Sequence, residues 1–167
     1  MKKIDESGLK LCKFQAELFR SSVEGTACST PIFLRRFMYS SVAERMDKNS
    51  FLFESTNIRS VLDSIEEEFG KSDYGQKKYF PEELYWMGYL YRYWCYTYEK
   101  TSKQVYKIIK PDELRTLYFP YHSLDPAQAI ERILEAKGFA EKDYTPKGVE
   151  LLRELLKKKK DVKGDQK

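Results

Sequence analysis

The chain has 167 residues, of which 41% are hydrophobic and 15% are aromatic, so it can build one packed core and is too apolar for a disordered protein. The three cysteines stand far apart and form neither a CxxC pair nor a disulfide framework, which favours buried free thiols. No apolar run approaches the ~20 residues that span a bilayer, and the N-terminal segment lacks the apolar stretch of a signal peptide. We therefore expect a cytoplasmic protein that makes no membrane contact.

The net charge of +4 is unevenly distributed. Residues 1–136 carry 20 Lys and Arg against 20 Asp and Glu, whereas residues 137–167 carry 10 against 6. This distribution predicts a neutral folded domain over residues 1–156 and a basic flexible tail over residues 157–167. A basic tail attracts nucleic acid weakly and without sequence preference, so any such binding is expected to depend on the tail.

Helix patterns recur along the first half of the chain, and strand patterns do not. Apolar residues at helical spacing predict helices over 9–23, within 29–47, and over 57–69. The polar segment "GKSDYGQKKY" is the clearest loop. The segment "KNSFLFES" interrupts the pattern, so residues 1–50 are either part of the single domain or a separate N-terminal helical unit.

The most aromatic stretch is "YWMGYLYRYWCYTYEK", residues 85–100. Its alternation also fits a strand, but its length without a turn signal favours a helix over residues 82–99. A helix that is apolar nearly all round is typical of the centre of a bundle, with Trp86 and Trp94 in the core. A base-stacking platform needs flanking cations, and Arg92 is the one basic residue between Glu82 and Glu99. A tyrosine-lined partner surface is the third interpretation.

Shorter helices are predicted in the second half of the chain. The capping box "TSKQ" opens a helix over 102–109, and prolines or capping residues open helices over 112–119, within 125–138, and within 145–156. The fold class is therefore all-α, as a compact bundle of seven or eight helices around a buried, aromatic-rich central helix.

The adjacent helices over 102–109 and 112–119 also allow a helix-turn-helix. Its recognition position would carry Arg115 against Asp112 and Glu113, which DNA phosphates would repel. The neighbouring Arg35 and Arg36 are a better basic spot, and we assign them as candidate contacts to an acidic partner, with a solvated helix face as the alternative.

No sequence motif of a hydrolase, metalloprotease, P-loop or dinucleotide-binding protein occurs. His122 is the only histidine, and it cannot form a histidine-based metal site by itself. The sequence therefore predicts no enzyme activity, no catalytic residue, no cofactor and no metal.

The segment "PYHSLDP" is stiffened by Pro120 and Pro126, and a stiff loop loses little entropy on binding. Tyr118, Tyr121 and His122 would supply aromatic anchors for a protein partner there. The opposing interpretation is that Tyr121 and His122 point inward and lock the turn.

A family resemblance lies in the stretch "ELYWMGYLYRYWCYTYEKTSKQVYKIIKPDELRTLYFPYHSLDPAQAIERILEA". It resembles small uncharacterised helical proteins of Firmicutes, chiefly gut clostridia. The part "TSKQVYKIIKPDELRTLYFPYHSLDPAQAIERI" is similar to a related family of short domains of unknown function, in which a Thr/Ser-Gly-Lys capping turn leads to a Val-Tyr helix and a Leu-His-Thr motif follows. Here Ser102 replaces the usual glycine, and "YHS" stands at the later motif.

Both groups tend to be encoded beside predicted ADP-ribosyltransferase-like toxins. The resemblance therefore implies an interaction protein, an antitoxin-like partner that binds and neutralises a toxin enzyme by occluding its active site or substrate groove. The alternative is a nucleic-acid-binding regulator, helix-turn-helix-like and autoregulatory within the same system.

Overall fold

A computed structural model describes residues 1–51 and 56–139 of the chain. Within these residues the protein is all-α and contains no strand, which confirms the all-α part of the predicted fold class. The helices are α1 (Glu6–Gly25), α2 (Thr30–Tyr39), α3 (Ser41–Asp47), α4 (Ile58–Phe69), α5 (Pro81–Thr97), α6 (Ser102–Ile108), α7 (Pro111–Thr116), α8 (Tyr118–Tyr121) and α9 (Pro126–Ala136). None of these helices combines the length and the apolar character needed to cross a membrane.

The chain divides into two compact units, residues 1–126 and residues 127–167, where the sequence pattern predicts one domain over 1–156. The first unit contains α1 to α8, and the helices of residues 1–50 pack within it against α4, α5 and α6. In the second unit the structure describes α9 as far as its end and the turn that follows. The helix predicted within 145–156 and the basic tail over 157–167 lie outside the described residues.

Local capping chemistry sets several helix ends where the sequence predicts them. The Asn57 side chain accepts a hydrogen bond from the Ser60 amide at 2.8 Å and starts α4, which ends before Gly70 at a φ of 82°. At the start of α6, the Thr101 amide donates to the Gln104 side chain at 2.8 Å, and the Gln104 amide donates to the Thr101 hydroxyl at 3.2 Å. The capping box at Thr101 confirms the sequence prediction, and the cap at Asn57 agrees with the predicted start of the helix over 57–69.

The helix predicted within 29–47 is in fact two helices, α2 and α3. The break falls at Ser40, whose hydroxyl accepts a hydrogen bond from the Ala43 amide at 3.1 Å and caps α3. The apolar stripe continues across the break because Met38 and Val42 are both buried. Periodicity alone therefore could not reveal the interruption.

The helix predicted over 112–119 is also divided. Helix α7 ends at Thr116, and α8 begins at Tyr118, with Leu117 between them. The Leu117 amide donates to the Leu114 carbonyl at 3.0 Å, which tightens the last turn of α7 and ends it. A continuous recognition helix of the helix-turn-helix kind is therefore not formed by these residues.

Helices α1 and α5 pack along each other at unusually short range. A Cβ atom on Gly88 would lie 2.7 Å from the carbonyl oxygen of Gln15 and 2.9 Å from the Cα of Ala16. The Gln15 side-chain amide donates to the Gly88 carbonyl at 3.1 Å. The absence of a side chain at residue 88 therefore sets the separation of the two helices.

Gly88→Ala is expected to lower the free energy of unfolding by about 1–2 kcal/mol, measured by urea denaturation. Overpacking costs about 1–3 kcal/mol and more where backbone must shift, which exceeds the ~1 kcal/mol that alanine adds through helix propensity. Gly25→Ala is the matched control, because its new Cβ meets the end of a leucine side chain, Leu62 Cδ1, at 2.5 Å. Equal effects of the two substitutions would contradict this account of the α1–α5 contact.

A buried polar network ties three helices to α5. Arg92 is 1% exposed, and its Nε donates to the Gln15 side chain of α1 at 2.8 Å. Its Nη1 donates to Asp47 of α3 at 2.7 Å, and its Nη2 donates to the Ser102 hydroxyl of α6 at 2.8 Å. Asp47 also accepts a hydrogen bond from the Ser102 amide at 2.8 Å. The buried Arg92 guanidinium therefore holds α3 through an ion pair, and α1 and α6 through hydrogen bonds.

Candidate protein interface

Four aromatic rings from two neighbouring segments meet on the surface of the first unit. Tyr118 lies at their centre, with ring centroids 5.7 Å from Trp86 of α5 and 5.5 Å from the adjacent Phe119. The His122 ring stacks on Tyr118 at 4.7 Å with an interplanar angle of 23°. We call Trp86, Tyr118, Phe119 and His122 the aromatic patch.

The backbone of α8 holds the patch in one geometry. The His122 amide donates to the Tyr118 carbonyl at 2.8 Å, which closes the short helix. The Nδ1 atom of His122 lies 2.9 Å from the Tyr118 carbonyl oxygen and 3.1 Å from that of Phe119. Because both carbonyls accept, Nδ1 carries the proton in this arrangement. His122 therefore caps α8 while its ring extends the patch.

Phe119 and His122 expose the outer part of the patch, and the segment that carries it is uncharged. The Phe119 side chain is 79% exposed, and no Lys, Arg, Asp or Glu occurs between Arg115 and Asp125. Arg115 donates to the Glu83 carboxylate at 2.7 Å, so its charge is neutralised beside the patch. Aromatic enrichment with depletion of charge is characteristic of the core of a protein interface.

The structure brings together only some of the residues that the sequence indicated. Tyr118 and His122 belong to the patch, whereas Tyr121 is half-buried and makes no ring contact within the described residues. Arg36 is also half-buried and donates to the Gly70 carbonyl at 2.7 Å, where it satisfies the end of α4. Arg35 is exposed on α2. No hydrogen bond or ring contact joins either arginine to the patch in the part of the chain that is described.

Two patch residues were missed by sequence reasoning. Trp86 was expected in the core, but it is half-buried and faces Tyr118. The signal that could have placed it is the recurrence of Tyr85, Tyr89 and Tyr93 every four residues, since these half-buried tyrosines mark the outer side of α5. Phe119 was not singled out because it stood at the end of the helix predicted over 112–119.

Two buried cysteines, Cys12 and Cys95, lie near the Arg92 network. A cavity of about 160 Å³ lies there, lined among others by Asp47, Arg92 and Cys95. Burial raises the pKa of Cys95 to about 11 and that of Cys12 to about 12, so both thiols stay protonated at neutral pH. Within residues 1–51 and 56–139, no group of three His, Cys, Asp or Glu side chains could hold a metal ion. These groups therefore support the helices rather than form a nucleophilic centre.

Comparison with known proteins adds no family to these observations. No protein-family model, no curated protein and no solved structure matches the chain at a significant level.

Proposed function

We propose that the protein is an interaction module, an antitoxin-like partner that binds and neutralises a toxin enzyme through the aromatic patch. The observation that carries the proposal is the exposure of Phe119. Its ring projects into solvent from a set of rings that contact one another. Exposed aromatic side chains on a rigid base tend to dominate the binding energy of protein interfaces, because little conformational entropy is lost when they dock.

The base of the patch is α5. In this proposal α5 is the buried central helix of a compact bundle, and Trp86 fixes the patch to it through Tyr118. The partner suggested by the family resemblance is an ADP-ribosyltransferase-like enzyme in the cytoplasm. Inhibition would follow if the patch and its surroundings covered the substrate groove of that enzyme.

The alternative, a helix-turn-helix regulator, has weaker support. Arg115 is the only basic residue of α7, and it is engaged by Glu83. Asp112, at the exposed start of α7, accepts hydrogen bonds from Lys77 and from the Tyr79 hydroxyl. A nucleic-acid phosphate would meet this acidic side chain first, so the pair formed by α6 and α7 does not favour groove insertion.

Phe119→Ala is expected to weaken the complex with the toxin enzyme at least about tenfold, because hot-spot aromatics contribute ~2 kcal/mol or more. The chain would be co-expressed with an ADP-ribosyltransferase-like enzyme of the kind that the resemblance predicts beside its gene. Complex formation would be followed by size-exclusion chromatography and titration calorimetry, and neutralisation by the residual activity of the enzyme.

Phe80→Ala is the matched control, since Phe80 is the same residue type and is 67% exposed but does not belong to the patch. Neither substitution should change the melting temperature, because both rings lie largely in solvent. Loss of binding only in the Phe119 variant supports the proposal. Equal binding by both variants removes the patch as the interface, and failure of the wild-type chain to bind the enzyme removes the antitoxin assignment.

A further inference from the structure

A second surface feature lies on the outer face of α6. Val105 of this helix is buried, whereas Lys103, Lys107 and Lys110 are exposed and Tyr106 is half-buried. The spacing of three and four residues places Lys103, Tyr106 and Lys107 along one face of the helix. Lys110 lies beyond the helix end, and its Nζ reaches the Tyr106 ring. Three lysines therefore flank one tyrosine ring.

Helix α2 adds two side chains to the same face. The rings of Tyr39 and Tyr106 meet edge to face, with centroids 5.6 Å apart. Lys103 Nζ lies 5.9 Å from the Tyr39 ring centroid, and Lys110 Nζ lies 4.0 Å from that of Tyr106. Burial raises the pKa of Tyr106, and Arg35 opposes that rise, so the guanidinium is also close to this ring. We call this set the basic tyrosine face, and its members are Arg35, Tyr39, Lys103, Tyr106, Lys107 and Lys110.

No ion pair compensates the positive charge of this face, although Glu44 lies within electrostatic range of Lys103. None of its four cations forms an ion pair within the described residues. The acids nearest to it are already engaged, because Glu44 lies 2.6 Å from Lys48 and Asp112 lies 3.0 Å from Lys77. Residues 1–136 sum to zero charge, yet folding gathers four unpaired cations at one place.

We propose that the basic tyrosine face binds single-stranded nucleic acid, with its cations on phosphates and with Tyr39 and Tyr106 against bases. Cations interleaved with aromatic rings are the combination that single-stranded nucleic acid requires. Lys103 and Lys107 are separated by about 6 Å along α6, the rise of about two stacked nucleotides. This inference goes beyond the proposed partner function and uses no residue of the aromatic patch.

Two other polyanions fit the face less well. An acidic peptide would use the cations but would leave both tyrosine rings unused. Duplex DNA presents phosphates but keeps its bases paired and stacked, so the rings could not reach them. The tyrosines therefore distinguish the single strand from both competitors.

The test is fluorescence anisotropy with the full chain and a fluorescein-labelled oligothymidylate of about 15 nucleotides. The logarithm of the binding constant should fall with the logarithm of salt concentration at a slope of about −0.7 per phosphate contact, hence about −3 for four contacts. Lys107→Gln should make the slope shallower by about 0.7, from about −3 towards zero. Tyr106→Ala should weaken binding about tenfold and leave the slope unchanged.

Two control variants separate this face from other basic regions. Lys13→Gln removes an exposed lysine of α1 and should leave both the affinity and the slope unchanged. Replacement of Lys157 to Lys160 by glutamine tests the basic tail, which the sequence suggested as the nucleic-acid contact. Under the proposal, the Lys107 substitution must change the slope whether or not the tail lysines are present.

Several outcomes would overturn the proposal. The first is no binding at about 50 mM salt, and the second is binding that disappears with the tail lysines but is unaffected by Lys107→Gln. The third is equal binding of the oligothymidylate, its duplex form and a polyglutamate of equal charge. Because Lys107 is fully on the surface, its variant remains informative even if Tyr106→Ala destabilises the fold.

Discussion

Trp94→Ala is expected to lower the free energy of unfolding by about 3–5 kcal/mol, enough to unfold a domain of ordinary stability. The Trp94 side chain is 0% exposed, and its ring packs against Tyr98 with centroids 6.4 Å apart. Its indole N–H finds no hydrogen-bond partner within the described residues, so the substitution removes packing and leaves no acceptor unpaired. Urea denaturation followed by circular dichroism measures the effect.

Trp86→Ala is the matched comparison, since it removes the same type of side chain from the same helix. Trp86 is only half-buried, so its loss should cost roughly half as much or less. If the two tryptophan variants lose equal stability, the assignment of Trp86 to the surface is wrong.

Asp47→Ala is expected to destabilise the protein by about 3–5 kcal/mol as well. The substitution leaves the guanidinium of Arg92, which is 1% exposed, without a counter-charge. It also removes the acceptor of the Ser102 amide at the start of α6. Asp63→Ala is the matched control, because Asp63 pairs with Arg59 at 2.8 Å in the open and should contribute less than ~1 kcal/mol.

A double variant tests whether the loss comes from the orphaned charge. Replacing Arg92 by methionine together with Asp47 by leucine removes both charges, and apolar replacements of a buried ion pair are often neutral. The double variant should therefore be more stable than Asp47→Ala alone. A double variant that is less stable would instead assign the loss to the hydrogen bonds made with Gln15 and Ser102.

The parts of the fold that could be predicted are those that neighbouring residues determine. The caps at Asn57 and Thr101 and the stop at Gly70 each depend on atoms within three residues in the chain. The length of the aromatic stretch likewise sufficed to identify α5 as a helix. When a helix is apolar nearly all round, however, its sequence pattern does not indicate which side is buried. The predicted core position of Trp86 was wrong for that reason.

The candidate surfaces depend on contacts that the sequence pattern does not contain. Tyr118 meets Trp86 and Tyr106 meets Tyr39 only after the helices have packed. Arg35 and Lys103 stand 68 positions apart in the chain, so counting charges along the sequence could not reveal their common face. Arg92 was noted as a lone basic residue, but its buried partner Asp47 could not be identified from spacing.

The close contact between α1 and α5 also determines when the protein can begin to fold during synthesis. The hydrogen bond from Gln15 to Gly88 joins residues 73 positions apart. At a translation rate of about 5–20 residues per second, α1 waits roughly 4–15 s before its partner helix is made. During that interval Phe19 can already meet Phe33 and Phe37 of α2, but the side of α1 that packs on α5 lacks its native cover. For those seconds the exposed apolar side of α1 can associate with other chains, so correct folding requires that the nascent chain avoid aggregation until α5 is made.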